Sequence, residues 1–229
     1  FTSPVNTSLE TTPQYCKESE QLVKKLKKLN AKEIGELMKL SDNLAQLNYE
    51  RYQSFEFPFP DKDSKQALFA FNGEVYTGLD AQSLSEDELI YSQIHLRILS
   101  GLYGVLSPLD RILPYRLEMG TRFQINPKTK NLYQFWGNKI AKHLKQELDQ
   151  HSNDSIINLA STEYFKSVDQ KTLNKKIITP HFKDNKKGNY KVIMMYAKKA
   201  RGSMARYIIQ NKINNEESLK DYNVDNYIF

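Results

Sequence analysis

The sequence predicts an α/β fold, a single compact domain over residues 1–229 in which a mixed β-sheet is flanked by helices. Three observations carry that prediction. Runs with helical periodicity alternate along the chain with short apolar runs of strand length. Hydrophobic residues make up 39% of the 229 and aromatics 11%, enough to bury a full core. No internal repeat or low-complexity tract breaks the alternation.

Residues 13–29 form the first amphipathic helix, with Tyr15, Leu22, Leu26 and Leu29 on one side and lysines opposite. A second helix covers residues 31–40, and a third, capped by Ser41 or Asp42, continues toward Phe55. FEFPFPDKDS contains two prolines and reads as a loop. KQALFAF, residues 65–71, predicts a short buried strand closed by a turn at Asn72-Gly73. Ser85 and Glu88 form a capping box that opens a helix to about Leu96. Two glycines follow, and Pro108 and Pro114 end regular structure. Residues 132–148 are helical again, and SIINLA, residues 155–160, is a buried strand with a short helical stretch after it. Strands at 176–183 and 190–196 are joined by turn-rich residues 184–189 and predict a hairpin. A final helix, residues 197–212, turns Ala197, Ala200, Met204 and Ile208 inward, while Lys199 and Arg206 share an outer face.

Charge is unevenly spread. Residues 171–212 hold twelve Lys and Arg and a single acid, Asp184, a balance of +11 that leaves −5 for the rest of a chain whose total is +6. Such asymmetry is the footprint of a surface that meets phosphates, although a lysine-rich solvated face has the same composition. The longest apolar run, residues 192–197, is far short of the ~20 residues a membrane span needs. The first residues carry no signal-peptide core, and Cys16, the one cysteine, cannot form an internal disulfide; both features fit a cytoplasmic protein.

Walker, G-x-G-x-x-G, C-x-x-C and H-E-x-x-H motifs are absent, and His95, His143, His151 and His181 lack ligand spacing, so no metal or cofactor is expected. Chemistry gathers in three other stretches. Arg116 and Glu118, two apart on an extended segment, point the same way and either pair or line a cleft. Ser161, Glu163, Tyr164 and Lys166 follow the strand at 155–160, the strand end where α/β proteins place ligand groups. A cap by Ser161 and a Glu163–Lys166 surface pair are the plainer alternative. Lys198, Lys199 and Arg201 fall in the first turn of the last predicted helix, against its dipole, where an incoming phosphate would relieve the conflict. Two further segments could form a phosphate-binding hairpin: Gly101-Leu102-Tyr103-Gly104, one residue longer than a G-h-G turn, and residues 36–49, ELMKLSDNLAQLNY.

The stretches LSDNLAQLN, FNGEVYTGL, HLRILSGLYGVLSPLD, PYRLEMGTR, LYQFWG, INLASTEYFKSV and YAKKARGSMARYII occur in this order. Together they resemble the YaaA (UPF0246-type) family of bacterial peroxide stress resistance proteins, from near Thr12 to Ile228. Members of that family begin with a short strand and an S-P-A-K-T-like segment, so an N-terminal strand and a C-terminal tail are expected beyond this chain. The resemblance implies a family-specific α/β fold with a positively charged cleft and a helix-hairpin-helix element that binds duplex or branched DNA. It also implies a role in limiting iron-dependent oxidative damage.

The expectation is a non-catalytic DNA-binding protein of the peroxide response, structure-selective rather than sequence-specific. Lys198, Lys199, Arg201 and Arg206 would contact phosphate, with Lys186 and Lys187 as outer contacts and Gly101 and Gly104 in the hairpin. The alternative is an enzyme acting on a nucleotide or other anionic small molecule, built from Arg116, Glu118, Ser161, Glu163, Tyr164 and Lys166.

Overall fold

In the computed structural model of the chain, Val5 and residues 7–229 are described. Three helices come first: α1 (Cys16–Leu26), α2 (Ala31–Met38) and α3 (Asp42–Gln53). Asn30 opens α2 with a capping box: its Oδ1 accepts from Glu33 N at 3.0 Å and its own N–H donates to the Glu33 carboxylate at 2.8 Å. Lys39, in the left-handed region at φ 54°, ends α2, and α3 packs back against it with Gly35 facing Ala45.

The strand predicted at 65–71 is mostly helical. Only β1 (Lys65–Gln66) pairs, with β4 (Arg111–Ile112), and α4 (Ala67–Ala70) coils directly after it. A short apolar run buried on all sides has no period that separates strand from helix, and here Leu68 N finds the Pro108 carbonyl at 2.9 Å instead of a ladder. Next come α5 (Glu74–Leu79) and α6 (Glu86–His95), the latter opened by the predicted Ser85–Glu88 box. Strands β2 (Ile98–Ser100) and β3 (Gly104–Leu106) form a β-hairpin, with Ile98 opposite Leu106 and Ser100 opposite Gly104.

Two helices, α7 (Leu132–Trp136) and α8 (Lys139–Leu148), lead to β5 (Ser155–Ile157), α9 (Thr162–Phe165), α10 (Gln170–Leu173) and β6 (Lys176–Ile178). Strands β5 and β6 are parallel, and α9 and α10 form the crossover. The last elements are the hairpin β7 (Asp184–Lys186) and β8 (Asn189–Lys191), then α11 (Met194–Gln210).

The strands pair only in twos, three pairs antiparallel and one parallel, so the single mixed sheet expected from sequence is absent among the described residues. Strands of two or three residues leave no ladder long enough to recruit a third, and the intervening glycines and prolines stop them from lengthening. The core is an α/β assembly around Trp136, Tyr52, Tyr103, Leu22, Leu26 and Ile34, all fully buried. Two polar aromatic side chains of this set are anchored: Trp136 Nε1 donates to the Gly101 carbonyl at 3.0 Å, and Leu113 N donates to the Tyr103 hydroxyl at 3.1 Å. A smaller cluster of Phe182, Ala197, Ala200, Met204 and Tyr222 seats α11.

Where α11 crosses α5, glycine decides the geometry. A Cβ on Gly202 would lie 1.8 Å from the Val75 carbonyl oxygen, and one on Gly78 would lie 2.1 Å from that of Lys199. The two backbones touch, which only glycine permits.

Candidate nucleic-acid interface

The basic stretch is carried by β7–β8 and α11. Lys187 and Gly188, at φ 54° and 83°, make the two-residue turn of the hairpin, and Asn185 Oδ1 accepts from Gly188 N at 2.9 Å. This hairpin is tighter than predicted, since residues 184–186 and 189–191 are themselves the strands and β6 pairs with β5 instead. Lys186, Lys187 and Lys191 are exposed and have no ionic partner among the described residues.

Helix α11 begins at Met194, three residues before the predicted start. Lys198, Lys199 and Arg201 therefore occupy its second turn, where the positive end of the helix dipole has faded. The expected electrostatic conflict at the helix start is corrected on that ground. What the four cations of this helix do differs residue by residue. Lys198 is exposed and unpaired among the described residues. Lys199 lies 3.8 Å from Asp225, whose carboxylate also accepts from the Ser203 hydroxyl at 3.2 Å. Arg201 donates to the carbonyls of Ala197 at 3.2 Å and Leu159 at 3.3 Å, and burial lowers its pKa. Arg206 donates to the carbonyls of Leu79 at 3.0 Å and Asp80 at 2.9 Å, and so caps the C-terminus of α5. The groove between α5 and α11, about 320 Å³, pairs Lys199 and Arg206 with Asp80 and Asp225 and is of mixed charge.

Of the two hairpin candidates, residues 36–49 have helix–turn–helix geometry, from the end of α2 into α3. Gly101 and Gly104 instead sit in the β2–β3 hairpin, both buried. A Cβ on Gly101 would meet the Leu117 carbonyl oxygen at 2.2 Å, and Gly104, at φ 74°, lies against the Trp136 ring. Their small size serves close packing, and a phosphate reaches neither without opening the core.

Arg116, Glu118, Ser161, Glu163, Tyr164 and Lys166 gather where residues 114–120 meet α9. Each is engaged there. Arg116 Nη2 donates to Glu118 Oε1 at 3.0 Å, on the surface. Glu163 Oε1 accepts from Gly120 N at 2.8 Å, and Ser161 Oγ caps α9 by accepting from Tyr164 N. Burial first, then the Glu163 and Glu118 charges, push Tyr164 up to about 12. Lys166 Nζ stands 5.1 Å from the centre of the Tyr133 ring, a cation–π contact in place of the predicted pair with Glu163. The Arg201–Leu159 bond joins this region to α11.

Sequence reasoning missed two features. The rings of His95 and His151 meet at 5.0 Å, though among the described residues no group of three or more His, Cys, Asp or Glu is placed to hold a metal. The apolar side chains of residues 192–196, part of the strand expected at 190–196, are mostly exposed, and their flanking lysines were the available signal. Cys16 is half-buried, and burial together with Asp110 raises its thiol to about 11. Among the described residues no helix is long and apolar enough to cross a membrane.

The family model described as Peroxide stress protein YaaA matches the chain over residues 1–229. The chain belongs to this family. Among curated relatives, the UPF0246 protein of Aliivibrio fischeri (strain MJ11) is 52% identical over all of this chain and 88% of its own length. The UPF0246 protein of Pseudoalteromonas translucida is likewise 52% identical over the same shares, and that of Hahella chejuensis 50%, over all of this chain and 89% of its own. Two of the stretches that carry the family resemblance, FNGEVYTGL and YAKKARGSMARYII, meet face to face at the α5–α11 crossing. A peroxide-stress role is the family's description.

Proposed function

We propose that this chain binds DNA during peroxide stress through the β7–β8 hairpin and the start of α11, and protects it from iron-dependent damage. The observation that carries the reading is the set of cations unpaired among the described residues, Lys186, Lys187, Lys191 and Lys198, on adjoining elements whose one acid, Asp184, accepts from the Tyr227 hydroxyl at 2.9 Å. Lysines of this kind contact phosphate and carry no sequence information, so binding is structure-selective. Arg201 and Arg206 hold the fold and add field rather than direct contact. The α2–α3 pair serves as the helix-hairpin-helix contact in this reading. Direct peroxide chemistry at Cys16 is disfavoured, because the thiolate is the reactive form and this thiol is held far from ionising at neutral pH.

A salt titration with a short duplex tests the proposal. Affinity should fall steeply with salt, and Lys186, Lys187, Lys191 and Lys198 all replaced by Ala should reduce the slope of log K against log[salt] by roughly 3 to 4. Affinity insensitive to salt, or unchanged in that variant, overturns it.

The clustering of Arg116, Glu118, Glu163, Tyr164 and Lys166 supports a second reading, an enzyme acting on an anionic small molecule. Against it, Glu118 and Glu163 are already bonded within the protein, and carboxylates repel a phosphate. Nucleotide protection of Tyr164 or Lys166 from chemical modification would favour the enzyme; its absence across a nucleotide panel would remove it.

A further inference from the structure

Large apolar side chains are rarely left exposed in a row on a soluble surface without a partner that uses them. Between residues 190 and 196 five of them are at least half exposed: Tyr190 at 70%, Val192 at 57%, Met194 at 73%, Met195 at 55% and Tyr196 at 50%. Neither tyrosine makes a hydrogen bond or ring contact among the described residues, so both rings and both hydroxyls are free.

The charges beside this patch along the chain are lysines, and the two acids near them are engaged, Asp184 by Tyr227 and Asp225 by Ser203 and Lys199. Tyr190 stands opposite Asn185 on one face of the hairpin, whereas Asp184 stands opposite Lys191 on the other and is held by Tyr227. Lys187 marks the turn. On α11, Lys198 shares a face with Met194 and Met195, four and three residues before it, and Lys199, paired with Asp225, follows Tyr196 by three. A surface that mixes flat aromatic rings with the ammonium groups of Lys187 and Lys198, unpaired among the described residues, is complementary to a ligand that is itself flat, apolar and anionic. A duplex offers phosphates but hides its base faces. A strand with unpaired bases offers both.

We infer that Tyr190 and Tyr196 are stacking platforms for the bases of an unpaired nucleic-acid strand whose phosphates lie along Lys187 and Lys198. The inference rests on the DNA-binding reading of the same surface and adds to it a preference for unpaired over paired segments.

The test compares a fluorescently labelled oligothymidylate with a duplex of equal length, by anisotropy at one salt concentration. Tyr190→Ala and Tyr196→Ala should each weaken single-strand binding roughly tenfold. Duplex affinity and the thermal midpoint should stay unchanged, and Tyr190→Phe with Tyr196→Phe should restore the binding. Tyr190→Trp supplies a second readout: its emission should be quenched by the oligothymidylate and not by the duplex, over a constant background from buried Trp136. Single-strand affinity unchanged in the double Ala variant, with lysine-dependent duplex binding intact, overturns the stacking platform and leaves the DNA reading standing. Absence of binding to either nucleic acid overturns both. Uptake of the native chain, but not the double Ala variant, by phosphatidylglycerol-containing vesicles without oligonucleotide binding also overturns the inference and assigns the patch to a membrane surface.

Discussion

The two halves of α11 use similar residues to opposite ends. From Arg201 onward, the guanidinium groups of Arg201 and Arg206 are fastened to backbone carbonyls of Leu159, Leu79 and Asp80, and Gly202 lies on the backbone of α5. Before Arg201, Lys198 is unpaired among the described residues, and the side chains of Met194, Met195 and Tyr196 stand in solvent. One basic sequence thus contains cations committed to the fold and cations available to a ligand. Charge counting cannot separate them, because the separation depends on which carbonyls and carboxylates the fold brings within reach.

The largest test of this contrast is Gly202→Ala. With 1.8 Å to the Val75 oxygen, the added methyl forces α5 and α11 apart, and a loss of about 3 kcal/mol is expected. In a chain of this size that lowers the thermal midpoint by roughly 6–12 °C, readable by circular dichroism. Arg206→Ala comes next: it strips the cap from α5 and should cost about 1–3 kcal/mol. Lys198→Ala is the converse, within about 0.5 kcal/mol of the native stability while duplex affinity falls. Arg206→Ala and Lys198→Ala with equal effects on melting and equal effects on DNA binding would erase the distinction.

Acid titration sharpens the same point from the framework side. Glu147 receives a two-pronged bond from Arg97, at 2.7 and 2.5 Å, and a contact from His143 at 3.3 Å. Burial alone would raise its pKa, but these partners outweigh burial and hold it at about 2, below the ordinary value of 4.5. The folded state binds that proton less readily than the unfolded chain. Its contribution is therefore complete above about pH 4.5 and is lost as pH falls toward 2. Glu147→Gln should flatten that acid limb of the melting-midpoint profile. The smallest expected effect is at Cys16, where iodoacetamide at neutral pH should label the folded chain far more slowly than the unfolded one.

Much of the fold was legible where a local device specifies it. The Ser85–Glu88 box opens α6 at the predicted residue, and Ser161 caps α9 as the plainer alternative for it proposed. Illegible parts depended on distant partners. Residues 65–71 and 192–196 are both short apolar runs. The first is largely buried as a helical turn and the second is exposed, and only the lysines flanking the second distinguish the outcomes. At the candidate site the lysines were visible as charge, but the structural use of Arg201 and Arg206 was not. Gly78 and Gly202 did leave a trace. Glycine inside a helix costs about 1 kcal/mol relative to alanine, so its presence there signals a close approach.

That close approach has a mechanical consequence. A contact made of main chain alone contains no side chain able to rotate aside, so α5 clamps α11 at one setting. Tyr196 sits six residues before Gly202, about 9 Å along the same rigid rod. The helix acts as a cantilever, gripped beyond its near end, and that end is held out at a fixed angle before any ligand arrives. The ordering of this part of the surface is completed when the protein folds, and a strand landing on it would have little more than its own freedom to give up.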